Sequence, residues 1–164
     1  MTCDELFEKL LSAYSIYYNV KRDDCEAPFD AEAVFNGKQE QYFLMKSAKL
    51  SEMTANEYVF IAKRDRIDKD ELLNLDDIAW NRGIKRVEPD PSHKSTDVTL
   101  IVIVNELDDD IAGLVKKLKH SVSYKLGLWG FGRYKAAVIE TYAGRLVTNR
   151  LGTDLKRLVM EIYK

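Results

Sequence analysis

Apolar residues recur at spacings of three and four through the first eighteen positions, where Leu6, Phe7, Leu10, Leu11, Tyr14, Tyr17 and Tyr18 make one stripe. That spacing predicts an amphipathic helix, because side chains about 3.6 residues apart return to the same face. Thr2 followed by Glu5 has the form of a capping box and sets the start. The polar stretch "NVKRDDCEAPFD" breaks the period and reads as a loop.

The period then changes to two. Phe29, Ala31, Ala33 and Phe35 alternate with Asp30 and Glu32, which predicts a strand with one dry and one wet face. Asn36-Gly37 is a hairpin signal, since both residues tolerate positive φ. A second strand is expected over 42–50 and a third at "EYVFIAK", completing an antiparallel meander. Asp68 caps a second helix carrying Leu72, Leu73, Leu75, Ile78, Ala79 and Trp80, with Gly83 placed to end it.

After the proline-bearing loop "EPDPSHKST", the run "DVTLIVIVNE" is almost wholly β-branched and predicts a strand buried on both faces. Asp108, Asp109 and Asp110 open a third helix expected to reach about Lys119, with acids and lysines placed to complement its dipole. Val122, Tyr124, Leu126 and Leu128 share the apolar face of another strand. "RYKAAVIETY" and "RLVTNR" follow as strands joined by an Ala143-Gly144 turn, and Thr153 or Asp154 starts a last helix. The predicted order is α-β-β-β-α-β-α-β-β-β-α. Strands joined by short turns outnumber helices, so the expected fold is α+β. It is read as a single domain over 1–164, with a largely antiparallel sheet and helices packed on it.

Composition narrows the class. A chain of 164 residues that is 46% hydrophobic and 32% charged reads as soluble and globular. Its longest apolar run, Leu100 to Val104, is far short of the ~20 residues of a membrane helix, so no membrane partner is expected. The opening "MTCDELFEKLL" carries acids where a signal peptide has a basic region, which predicts a cytoplasmic location. Cys3 and Cys25 lack metal spacing and read as reduced structural thiols. His93 and His120 are scattered and read as surface or loop residues, so neither a metal nor a cofactor is expected.

Charge changes the picture more. The net charge is −2, yet residues 113–164 hold 11 Lys and Arg against 3 Asp and Glu, while residues 1–112 hold 14 against 24. Such asymmetry suits an anion-binding surface. A cationic edge is expected from Lys116, Lys117, Lys119, Lys125, Arg133, Lys135, Arg145 and Arg150. The stretch "GLWGFGRYK" sits on it. Phosphate-cradling glycines follow a strand and feed a helix, whereas these lie between two strands, so a turn whose aromatics fold back on the core is the first reading. The second is a stacking platform, with Trp129 and Phe131 against bases and Arg133 and Lys135 on phosphates. Lys125, Trp129, Phe131, Arg133, Lys135, Arg145 and Arg150 are therefore the candidate binding residues.

Catalytic constellations fare less well. The αβββαβ opening invites comparison with magnesium nucleases of the PD-(D/E)XK type, with Asp30 and Glu32 near Lys46 and Lys49 as the alternative metal site. No strand carries the Glu-x-Lys that such a site uses. "DRIDKDELLNLDD" fails the calcium-loop test, with Asp70 at the glycine position and Asp76 at the bidentate one. No G-x-S-x-G elbow occurs.

"YFLMKSAKL…NEYVFIA" and "SYKLGLWGFGRYKAAVIETYAGRLVTNRLG" resemble an uncharacterised family of small proteins from clostridia-like bacteria. The likeness rests on Tyr42, Phe43, Leu44, Lys46, Asn56, Glu57, Tyr58, Tyr124, Lys125, Gly127, Gly130, Asn149, Arg150 and Gly152. It implies a cytoplasmic bacterial protein and no particular chemistry. The expected function is a non-enzymatic binding or interaction module whose basic edge meets an anionic partner, either nucleic acid or an acidic protein surface. The alternatives are the magnesium-dependent hydrolase and a self-associating structural protein, for instance a homodimer.

Overall fold

The computed structural model describes residues 1–37 and 54–164. Within them one sheet holds β1 (Asn19–Lys21), β2 (Ala31–Asn36), β3 (Thr54–Arg64), β4 (His93–Val104), β5 (Ser121–Ser123), β6 (Phe131–Glu140) and β7 (Arg145–Thr148). The helices are α1 (Cys3–Tyr14), α2 (Lys69–Ile84), α3 (Asp109–Val115) and α4 (Leu155–Ile162). The expected α+β class is what the chain adopts. The strand expected over 42–50 lies outside the described residues.

The sheet runs β1-β2-β3-β4-β6-β5, with β7 also on β6. Four pairings are antiparallel, but the centre, β3-β4-β6, is parallel. Parallel neighbours need a crossover, and α2 and α3 supply the two. The centre is buried on both sides as the β-branched run predicts. Phe60, Leu100, Val102 and Val138 face α2 and α3, while Val59, Ile61, Ile101, Ile103 and Ile139 face α1 and α4.

Local signals explain most boundaries. In α1, Glu5 N–H donates to Thr2 Oγ1 at 3.1 Å and Thr2 N–H to Glu5 Oε2 at 2.8 Å, closing the capping box. A 12-residue helix is marginal alone. Burial of Leu6, Phe7, Leu10 and Leu11 holds it, at roughly 1.5–3 kcal/mol per large apolar side chain. Asp68 caps α2 through Glu71 N–H at 2.8 Å.

Four expectations are corrected. β1 forms within the stretch read as a loop, because Val20 packs on the α1-side core while Asn19 and Lys21 stay exposed. Gly83 does not end α2, which runs on to Ile84. A Cβ there would lie 2.5 Å from Val98 Cγ2, so the glycine lets helix and sheet approach. α3 stops at Val115 rather than near Lys119, since the chain must bend to bury Leu118 and enter β5. Leu126 and Leu128 share no dry face; they are 99% and 80% exposed on a turn where Lys125 and Leu126 take φ of 49° and 55°.

The histidines also depart from expectation. His93 is buried, with Nδ1 2.7 Å from Trp129 O and Nε2 2.8 Å from Thr96 Oγ1. His120 is partly buried against α2. Cys3 and Cys25 are free thiols. No helix among the described residues is long and apolar enough to cross a membrane.

Burial raises the hydroxyls of Tyr14, Tyr18 and Tyr134 above the ordinary tyrosine range, and Glu57 adds to the effect at Tyr14 and Tyr18. The unfolded chain therefore loses these protons first, and folding stability falls as pH rises through about 10. Of the nine tyrosines, at least these three should remain un-ionised until the fold collapses. Tyrosinate absorbance in native and denatured protein checks this; nine residues titrating together near that pH in the folded protein would contradict it.

Candidate anion-binding pocket

β6 offers its outer edge to two short strands. β5 pairs with Phe131, Gly132 and Arg133, and β7 pairs with Ala137 to Glu140. Between them lies an interval at Tyr134–Ala136 that neither strand covers. The Asn149 side chain fills it. Its Oδ1 accepts from Ala136 N–H at 3.0 Å and Gly152 N–H at 2.9 Å, and its Nδ2 donates to Tyr134 O at 3.1 Å and Leu118 O at 3.0 Å. Asn149 thus joins β6, the turn after α3 and the turn after β7.

Those two turns form the walls of a pocket of about 290 Å³. Lys116, Lys117 and Lys119 come from the first and Arg150 from the second, with Leu118, Tyr134 and Leu151 contributing apolar surface. No carboxylate among the described residues lines it. Lys116, Lys117, Lys119 and Arg150 are exposed and make no ion pair among the described residues.

His120 forms part of the lining and is held from behind. Its Nε2 lies 2.7 Å from Asp76 Oδ2. Its ring stacks on Trp80 at 5.2 Å and 13° and meets the edge of Tyr134 at 4.8 Å. Asp76 and Tyr134 are buried, and Asp76 Oδ1 and the Tyr134 hydroxyl make no hydrogen bond of ordinary geometry. Burial first, and the Asp76 charge second, hold that hydroxyl well above its usual range. Asp76 therefore fixes the orientation of an imidazole whose other ring nitrogen, Nδ1, is not committed to it.

The other expected cations are spent elsewhere. Arg133 meets Asp97 at 2.8 and 3.2 Å, and Lys135 lies 3.2 Å from Asp97 and 2.7 Å from Asp154. Arg145 lies 2.8 Å from both Glu140 and Asp109. Arg133 and Lys135 belong to a polar cluster on the α1 side, where Glu57, Asp97 and Arg133 stand in register on β3, β4 and β6. Glu57 accepts there from Tyr18 at 2.5 Å and Thr99 at 2.8 Å.

Lys125 lies 5.1 Å from the Trp129 ring centroid, and Phe131 is 50% exposed. Their stretch is a turn: Tyr124 N–H donates to Gly130 O at 3.0 Å and Trp129 N–H to Tyr124 O at 3.1 Å. Gly130, at φ 85°, sits where a Cβ would lie 2.4 Å from Lys94 O. Asp30 accepts from Arg64, and the buried Glu32 pairs with Arg86, so the face expected to be wet is covered by arginine.

The sequence reading missed Asp76 and His120. Asp76 occupies an inward helical position, four residues after Leu72 and three before Ala79. An acid on the dry stripe of a helix was the available signal.

The fold and pocket define an α+β protein with helices on both faces of a mixed sheet and a cation-rimmed cavity at the edge of its last long strand. The chain belongs to the family described as Domain of unknown function (DUF8052), whose pattern it matches over residues 2–161. No curated protein and no solved structure matches it.

Asn149→Ala strands four backbone groups at once. It should lower the unfolding free energy by about 3 kcal/mol or more, as read by urea denaturation. A loss under about 1 kcal/mol would show that water replaces the amide freely.

Proposed function

We propose that the chain, as one α+β domain, is a binding module for an anionic ligand, captured at the pocket rimmed by Lys116, Lys117, Lys119 and Arg150. One observation carries this reading. The expected cationic edge divides into residues matched to carboxylates, namely Arg133, Lys135 and Arg145, one that stands over the Trp129 ring, Lys125, and four that surround a concavity without an ion-pair partner among the described residues. Like charges held around a cavity repel one another, and an arriving anion relieves that repulsion. An Asp-oriented histidine beside them supplies a further donor when protonated.

Retention on heparin tests the reading. The unaltered protein should be retained at low salt and elute as salt rises, because each displaced counterion adds to the salt dependence. Lys119→Ala/Arg150→Ala should elute at clearly lower salt than Lys156→Ala/Arg157→Ala, which removes the same charge from exposed positions of α4. Equal shifts for the two pairs would reduce the effect to net charge. No retention at all would remove the proposal.

A further inference from the structure

The geometry of the same pocket points to a class of ligand, on the premise that the pocket binds anions at all. We infer that it takes a small phosphate monoester with a compact apolar body.

Size and charge distribution separate a small molecule from a polymer. Nucleic acid carries a phosphate charge about every 1.7 Å of duplex and is met by a stripe of cations. Here a stripe is broken, since Arg133 is matched to Asp97, Lys135 to Asp97 and Asp154, and Arg145 to Glu140 and Asp109. Lys116, Lys117, Lys119 and Arg150 converge on one cavity of about 290 Å³, while Lys125 stands apart over Trp129; that volume is near the lower end of small-molecule sites. Four cations with no lining carboxylate suit a dianion better than a monoanion. Leu118, Tyr134 and Leu151 add an apolar surface that inorganic phosphate alone would leave wet.

Titration calorimetry with phenyl phosphate near neutral pH tests this on the unaltered protein. The expected result is saturable binding at one site. Inorganic phosphate should bind at least about tenfold more weakly for lack of the apolar body. Lys119→Ala/Arg150→Ala should weaken phenyl phosphate by about tenfold or more, and equal affinity for inorganic phosphate overturns the apolar body. No binding of phenyl phosphate, with heparin retention still sensitive to Lys119→Ala/Arg150→Ala, overturns the small-molecule ligand and leaves the anion-binding reading standing. Saturable binding of duplex DNA in place of phenyl phosphate overturns the small-molecule ligand in the same way. Absence of both kinds of binding removes the two readings together.

Discussion

One amide side chain stands in for a strand. The outer edge of β6 is shared by β5 and β7, which stop short of each other, and Asn149 supplies both the donor and the acceptor that the interval requires. An unpaired buried amide or carbonyl costs about 1–3 kcal/mol, so the gap persists only because this residue closes it. The pocket opens beside that interval, with Tyr134 and Asn149 in its lining. Its two walls, the turn after α3 and the turn after β7, are tied to the sheet through the same four bonds.

The parallel centre decides where charge can go. β3, β4 and β6 are dry on both faces through their middles, and ionisable side chains enter the sheet toward the ends, Glu57, Asp97, Arg133 and Lys135 near the start and Lys63, Arg64 and Glu140 at the finish. Charges placed there must be matched, because removal from water is expensive. Glu57, Asp97, Lys135 and Asp154 accordingly satisfy one another and Tyr18, Thr99 and Arg133. Lys116, Lys117, Lys119 and Arg150 lie on turns beyond the sheet, where water solvates them and no such match is imposed. The basic tail of the sequence thus includes both cations matched at the sheet and cations left to water.

Much of this was legible in the residues, and the failures have causes. The capping box of α1, the cap of α2, the two-faced burial of β4 and the turn nature of "GLWGFGRYK" follow from local spacing. Parallel pairing of β3, β4 and β6 did not, since strand direction is set by how crossover helices pack and leaves no mark on periodicity. The single valine of β1 offers too short a pattern to reveal alternation. In the site, Arg150 stood among the candidate binding residues, while Lys116, Lys117 and Lys119 were named only on the wider cationic edge; charge counting gave no means of telling the four from Arg145, whose carboxylates come from Asp109 and Glu140. Asp76 was legible as an acid on a dry stripe, while its partner, 44 residues later, was not.

β1 and β5, at the two ends of the described strand order, are three residues each. A border that brief offers an incoming chain little more than one repeat of backbone pairing, and Lys21 on β1 adds a charged fringe. Long, dry strands such as β4 are the ones that seed fibrils, and here they are kept in the interior. Among the described residues the architecture therefore keeps its stickiest segments inside and its terminal strands brief.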